Sequence, residues 1–246
     1  MIGREAHMEM TTDTLRAERW LHLSFALLTF VTGLVDAASY LSMGHIFTAN
    51  MTGNIVLLGL AVANVPGFSM LRSITALIFA FAGGIVSARL EHWTANWRRS
   101  HWLGLVAGME TTLLFVACML LVMQHDSVVL PSSSLYGIIA LTALAMGIRN
   151  GTVRRLGVPD ITTTVLTLTV AALASESSLA GGNNPRWGRR ISAVFSMFFG
   201  AAVGAFLLQH SLAVVLGLAA FVTLTAMIIQ YFRSDTMQEL TAASHK

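Results

Sequence analysis

The side chains best suited to chemistry in this chain lie in two polar clusters that interrupt otherwise apolar sequence. The first cluster runs from Gly33 to Asn54, and the second runs from Gly147 to Thr167. A charged group at membrane depth costs at least ~2.5–3.5 kcal/mol on insertion scales, so such groups are expected to be paired, hydrated or functional. The candidate solute- or ion-binding residues in these clusters are Asp36, Asn50, Thr52, Gly53, Asn54, Asn150, Thr162, Thr164 and Thr167.

Composition places the chain among polytopic membrane proteins. Charged residues make up 11% of the chain and hydrophobic residues 55%, whereas soluble domains carry about 25% charged residues. Six apolar runs reach the roughly 20 residues that a ~30 Å hydrocarbon core requires. They are 21–43, 69–90, 102–124, 134–153, 190–209 and 211–232, while the runs 54–65 and 161–174 are too short. We therefore predict one transmembrane domain over 20–233, with polar tails at 1–19 and 234–246.

The arginines indicate how these runs are oriented. Arginines flank the runs at Arg16 and Arg19, Arg89 to Arg99, Arg154 and Arg155, Arg186 to Arg190, and Arg233. All of them can be cytoplasmic only if the two short runs re-enter without crossing, because a crossing short run would place one cluster outside. Arg72 is the exception: either it snorkels to the outer interface, or run 54–65 crosses after all. The favoured fold is an all-α polytopic protein with six spanning helices, two short re-entrant helices and both termini in the cytoplasm.

The two halves of the chain, about 20–124 and 134–233, show a diverged internal repeat. Gly33 aligns with Gly147 and Asp36 with Asn150, and the segment 81–87 matches the segment 198–204. The small residues in the two matching segments predict close helix packing inside the protein rather than dimerisation. Three crossings in each half would place the halves in opposite orientations, which is the inverted-repeat plan of many transporters. Chance similarity between hydrophobic runs is the alternative.

Three segments resemble one known family. They are the string 33–37, the run 47–54 and the segment 145–160 with its threonine-rich continuation, and they resemble the YoaK-type bacterial inner-membrane proteins. The resemblance covers nearly everything from residue 20 to residue 233. It implies a multi-pass protein of the bacterial inner membrane. Because that family has no assigned function, the resemblance implies no substrate.

The first cluster admits three interpretations. Asn and Thr side chains between 50 and 54 cap a short helix that begins near Asn54 and hold its loop together, or contact a solute directly, or pack against a partner chain. Asp36 lies about 6 Å to the outer side of the middle of its span, counted at ~1.5 Å per residue. Its carboxyl suits proton coupling, cation binding, or a structural hydrogen bond to Asn50 or Asn54. Arg72 is the basic residue on its side of the membrane.

Depth counting also predicts a buried ion pair. At ~1.5 Å per residue, Glu110 lies about 4 Å and Arg149 about 8 Å to the inner side of their spans. The two spans are consecutive and antiparallel, so an ion pair between these side chains would neutralise both. A structural pair is the favoured interpretation, with gating or recognition of a charged substrate as the alternatives.

Other classes of function find little support in the sequence. We expect no enzyme, because hydrolase and phosphate-binding motifs are missing, although an intramembrane hydrolase using Asp36 or Glu110 is a remaining alternative. The single cysteine and the scattered histidines predict no metal site, and we expect no cofactor and no nucleic-acid partner. The expected partners are the lipid bilayer, a small solute and, as an option, a second copy of the chain. The leading hypothesis is a transporter or channel, and the rival is a non-transporting scaffold or assembly component.

Overall fold

A computed structural model describes residues 2–124, 131–156 and 166–244, and every regular element in these ranges is helical. The short helices α2 and α6 each follow a long helix, and a single 3-10 turn at Ser178–Ala180 lies between α6 and α7. The helices are α1 (Ile2–Ser42), α2 (Met51–Val62), α3 (Met70–Trp93), α4 (Arg99–Val122), α5 (Ser132–Leu156), α6 (Leu166–Ser175), α7 (Trp187–Leu207) and α8 (Leu212–Ser244).

Six of the described helices are long and apolar enough to cross a membrane. The six segments are Arg19–Ser42, Met70–Trp93, Ser100–Val122, Ser132–Leu156, Trp187–Leu207 and Leu212–Phe232. They coincide with the six apolar runs, which confirms the prediction of an all-α protein with six candidate spans. The described parts of the two short runs lie in α2 and α6, and at ~1.5 Å per residue neither described helix is long enough for a ~30 Å core.

The helices pack in a regular set of pairs. The largest contacts are those of α3 with α5, α1 with α7, and α4 with α8. Helix α1 also packs against α8, and α4 against α5. The short helices lie at the edge of this bundle, with α2 against α3 and α6 against α7. The interior between α1, α4, α5 and α8 is therefore the place where buried polar side chains meet.

One end of the bundle, here called the arginine end, gathers the basic residues. Arg189 on α7 bonds to His22 near the start of the first span. Arg155 at the end of α5 forms an ion pair with Glu91 at the end of α3. Leu156 packs near Phe25 of α1. The start of the first span, the ends of α3 and α5, and the start of α7 therefore share this end.

The opposite end, here called the loop end, carries both ends of the segment 43–69. His45 Nδ1 lies 3.2 Å from the Gly67 carbonyl oxygen. The Arg72 guanidinium packs against Gly44, which has φ +87° and follows the last turn of α1. This positive φ lets the His45 N–H reach the Tyr40 carbonyl and end the helix. The chain thus leaves α1 and enters α3 at the same end, with α2 between them.

Glycines set the closest helix contacts. A methyl group on Gly147 would collide with the Ala80 carbonyl oxygen of α3, and one on Gly33 would collide with the Met197 carbonyl oxygen of α7. Gly84 and Gly108 face open space. The glycines at these two close contacts therefore serve internal packing, and so do Gly83 and Gly200 of the two matching segments, as the sequence predicts.

Candidate functional site

The loop of residues 43–50 turns back into the bundle and ends beside Asp36. This carboxyl is buried, with 4% of the residue exposed. Its Oδ1 accepts a hydrogen bond from the Ala49 N–H at 2.8 Å and a longer one from the Asn50 N–H at 3.4 Å. Asp36 therefore fixes the point at which the chain reverses direction and begins α2.

Asn150 of α5 holds the same residue of the loop from the other side. Its Nδ2 donates to the Ala49 carbonyl oxygen at 3.3 Å. The N–H of Ala49 is thus bound by Asp36 and its C=O by Asn150. Irregular backbone inside a membrane protein needs such partners because lipid supplies none. Asp36 and Asn150, which the internal repeat aligns, therefore bind the same loop residue.

Asn54 closes the loop against the first turn of α2. Its Oδ1 accepts from the Phe47 N–H at 2.8 Å, and its Nδ2 donates to the Phe47 carbonyl oxygen at 2.5 Å. Gly53 lies against the Phe47 ring, because an added Cβ would sit 2.6 Å from a ring carbon. The ring in turn stacks on Tyr40 with centroids 5.2 Å apart. The start of α2 is therefore fitted to the backbone and the side chain of Phe47.

Two buried oxygen atoms of this loop site lack partners in the described part of the chain. They are Asp36 Oδ2 and Thr48 Oγ1. A carboxylate and a hydroxyl suit a proton, a monovalent cation, or a donor group of a solute. Over the described ranges, no three His, Cys, Asp or Glu side chains cluster closely enough to share a metal ion.

The structure changes three details of the predicted site. Helix α2 begins at Met51 rather than near Asn54, and Asn50 occupies the N-cap position without a side-chain capping bond. The physical reason is that Asp36 and Asn150 already bind the residue before this position, while Asn54 is committed to Phe47. Asp36 bonds to backbone N–H groups rather than to the side chain of Asn50 or Asn54.

Other predicted residues lie away from the loop site or outside the described ranges. Thr52 is exposed on α2, and Thr167 is exposed on α6. Thr162 and Thr164 lie outside the described residues. Within the described ranges, Asp36 makes no ion pair with Arg72, whose guanidinium packs against Gly44 instead. The structure thus brings together Asp36, Asn150 and the backbone of Ala49 and Asn50.

Glu110 and Arg149 form an ion pair in the interior. Arg149 Nη2 contacts Glu110 Oε1, and the two residues are 2% and 3% exposed, respectively. Nη2 also donates to Thr223 Oγ1 at 3.0 Å. Nη1 donates to the Leu28 carbonyl oxygen at 2.9 Å and lies 3.3 Å from Thr32 Oγ1. Arg149 therefore links α5 to α1, α4 and α8.

Sequence reasoning did not identify Thr32 or Thr223 as parts of this network. Each is a threonine within or next to apolar sequence, where its hydroxyl commonly bonds to its own helix. Thr32 does so as well, donating to the Leu28 carbonyl oxygen at 3.0 Å. A depth count would not have identified them, because it places Thr32 and Thr223 within about 2 Å of the middle of their spans and Arg149 about 8 Å to the inner side.

We expect Asn54→Ala to lower the free energy of unfolding by about 1–3 kcal/mol, because the buried N–H and C=O of Phe47 would lose their partner. Thr52→Ala, two residues away on the exposed face, is the matched control and should stay within about 0.5 kcal/mol of wild type. Thermal unfolding in detergent measures both. Equal unfolding midpoints for the two variants would contradict the proposed closure of the loop by Asn54.

Comparisons with known proteins agree with this architecture. Residues 24–229 match the family described as "Protein of unknown function (DUF1275)". The chain is 36% identical over 154 residues to the UPF0700 transmembrane protein YoaK of Bacillus subtilis (strain 168), an alignment that covers 62% of this chain and 65% of that protein. The match thus spans a little less than two thirds of the relative's length. No solved structure matches the chain. The chain is therefore an integral membrane protein that belongs to the DUF1275 family of unknown function.

Proposed function

We propose that the protein is an inverted repeat of two halves, α1–α4 and α5–α8. The helix contacts occur in matching pairs that support this arrangement. The contact of α1 with α7 corresponds to the contact of α5 with α3. In the same way, the contact of α1 with α8 corresponds to the contact of α5 with α4. The short helices follow the same rule, with α2 on α3 and α6 on α7. The remaining large contact joins α4 to α8, which are counterparts of each other.

The glycine contacts support the repeat at the level of single residues. The paired glycines are Gly33 with Gly200 and Gly147 with Gly83. In each pair, a methyl group on one glycine would collide with the carbonyl oxygen three residues before the other. Those oxygens belong to Met197, Phe30, Ala80 and Leu144 for Gly33, Gly200, Gly147 and Gly83, respectively. Such a reciprocal match is expected of two halves that are related by a pseudo-two-fold axis.

We propose that this protein carries a small solute across the bacterial inner membrane, as a transporter or channel, with its site at the Ala49 loop. The observation that carries the proposal is that Ala49 is hydrogen-bonded by Asp36 of one half and by Asn150 of the other half. Because Ala49 is bonded to α1 through its N–H and to α5 through its C=O, the loop lies inside the bundle, between the two halves. Transporters with inverted repeats bind solutes at such irregular backbone.

The distribution of arginines supports an orientation for this proposal. The arginine end carries Arg98, Arg155 and Arg189, whereas Arg72 lies at the loop end. Short loops rich in arginine stay in the cytoplasm. The arginine end is then cytoplasmic, both termini are inside, and the loop end faces outward.

One observation favours the rival function, a membrane scaffold. Asn54 satisfies both backbone groups of Phe47, and Asp36 Oδ1 satisfies two backbone N–H groups. Polar residues used in this way stabilise the fold whether or not a solute binds. The distinction between the two functions therefore depends on Asp36 Oδ2, which the loop does not use.

Asp36→Asn and Asp36→Ala separate the two uses of this carboxyl. Asparagine keeps an oxygen that accepts from Ala49, so we expect its unfolding midpoint to stay close to wild type. Alanine leaves the two N–H groups without an acceptor, so we expect a loss of about 1.5–3 kcal/mol. Thermal unfolding in detergent tests this difference. If the two variants are equally stable, the Oδ1 bonds do not hold the loop.

Flux measurements test the function itself. The full chain is reconstituted in liposomes with a trapped pH-sensitive dye and exposed to organic acids, amines, amino acids and sugars under an imposed pH gradient. We expect at least one solute to be carried by wild type and by the control Gly108→Ala, whose new methyl group meets open space. Asp36→Asn should retain the fold but lose at least about 10-fold in rate if the free carboxyl oxygen binds the solute or a proton. Solute flux that is equal in empty liposomes and in liposomes with wild-type protein would favour the scaffold.

A further inference from the structure

A small cavity borders the buried ion pair on the side of the arginine end. Its volume is about 20 Å³, and it lies among α1, α4, α5 and α8. Its polar lining residues are Glu110, Arg149, Thr152 and Gln230, although most of its wall is apolar. A cavity of this size has room for about one water molecule. The ion pair thus borders a small, mainly apolar space within the bundle.

Arg149, which lines this cavity, has one unused donor. Its Nη1 and Nη2 atoms are bonded, whereas Nε is buried and has no hydrogen-bond partner among the described residues. A carboxylate bound in the usual two-pronged manner would use Nε together with Nη2. Glu110 contacts Nη2 through Oε1. The guanidinium is therefore only partly used by its internal partner.

A larger pocket, here called the vestibule, lies at the arginine end. Its volume is about 470 Å³, and its walls include Trp102, Arg155 and the paired Glu91. Leu156 lines both the vestibule and the inner cavity. The side chain of Leu156 therefore lies between the vestibule and the cavity that borders Arg149.

Arg149 is also directly linked to the proposed solute site. The next residue, Asn150, binds the Ala49 carbonyl oxygen. A change in the position of Arg149 on α5 would act on the loop through a single peptide unit. The vestibule, the ion pair and the Ala49 loop are thus contacted by one helix, α5, through Leu156, Arg149 and Asn150.

We propose that Arg149 is an anion-binding site reached from the arginine end, and that Glu110 is the internal carboxylate occupying it when no anion is bound. The ligand class is a small molecule with a carboxylate or a similar anionic group. This inference rests on the proposed function only in identifying that molecule as the transported solute. The anion enters through the vestibule, takes the Nε and Nη2 edge of Arg149 and displaces Glu110.

Chemical rescue tests the site without any flux measurement. Glu110→Ala removes the internal carboxylate and leaves space for formate, which is the probe. Adding 100 mM sodium formate should raise the unfolding midpoint of Glu110→Ala by at least about 3 °C more than it raises wild type. The control is Glu110→Ala/Arg149→Met, which lacks the cation and should respond like wild type. Glu110→Ser, which also leaves space for formate, serves as the second variant if Glu110→Ala fails to accumulate.

Thiol labelling tests the route to the site. In a Cys118→Ser background, Ala107→Cys places a thiol in the wall of the inner cavity, while Leu105→Cys is the control on the exposed face of the same helix. A small anionic methanethiosulfonate applied at the arginine end should modify Ala107→Cys at least about 10-fold faster than Leu105→Cys. When the same reagent is applied at the loop end, we expect it not to modify Ala107→Cys faster than Leu105→Cys.

The outcomes separate this inference from the proposed transport. A formate shift that is equal in Glu110→Ala, the double variant and wild type would overturn the anion site. An unreactive Ala107→Cys would overturn the route. Formate rescue and Ala107→Cys labelling without any solute flux would support the anion site and reject transport. Solute flux without formate rescue would support transport and reject the anion site.

Discussion

We expect Arg149→Met to lower the free energy of unfolding by about 3–5 kcal/mol, because it leaves Glu110 as a buried charge without its partner. The same change also removes the donor to the Leu28 carbonyl oxygen and the bond to Thr223. The double variant Glu110→Leu/Arg149→Met carries no uncompensated charge and should recover most of the loss. Unfolding midpoints and folded yield in detergent measure both effects.

The ion pair of Glu91 with Arg155 is the matched control for this prediction. Its side chains are 41% and 36% exposed, so neutralising either partner should change the free energy of unfolding by no more than about 1 kcal/mol. If Arg149→Met proved as mild as this control, the interior pair would not hold the four helices together.

The second large effect is expected at the reciprocal glycines. Gly147→Ala would force a methyl group into the Ala80 carbonyl oxygen, and Gly33→Ala would do the same at Met197. Because these neighbours are backbone atoms of a packed helix, the helices must separate, at a cost of about 1–3 kcal/mol or more. The inverted repeat predicts similar losses for the two variants.

Gly84→Ala is the control for the glycine prediction. It lies next to Gly83 on α3, and its methyl group would meet open space. Alanine is also the better helix former, so Gly84→Ala should be neutral or slightly stabilising. The unfolding midpoints of Gly147→Ala, Gly33→Ala and Gly84→Ala measure these changes in stability. A large loss at one glycine with none at its counterpart would contradict equivalent contacts in the two halves.

The long helices were predictable because lipid thickness imposes a length on each of them. The six apolar runs differ from the candidate spans by a few residues at most. Depth counting also brought Glu110 and Arg149 to compatible levels, since consecutive spans joined by a short loop run in opposite directions. The depth of a side chain in the membrane is predictable from sequence because it depends only on the position of the residue along its helix.

The loop site was less predictable because its partners are backbone groups. Asp36 bonds to N–H groups 13 and 14 residues further along the chain, and every residue type except proline offers the same donor. Asn54 was identified as polar and important, but its partner is the backbone of Phe47. Side-chain spacing therefore identified the residues of the site without identifying what they bind.

Side-specific labelling is the most direct test of the inverted, re-entrant arrangement on which the account depends. In the Cys118→Ser background, Ser42→Cys and Ala63→Cys place thiols at the loop end, while Ala95→Cys and Asn183→Cys place them at the arginine end. We predict that a membrane-impermeant maleimide modifies the first two from one face of the membrane and the last two from the opposite face. Labelling of Ser42→Cys and Ala63→Cys from opposite faces would mean that α2 crosses the membrane, and it would contradict the account.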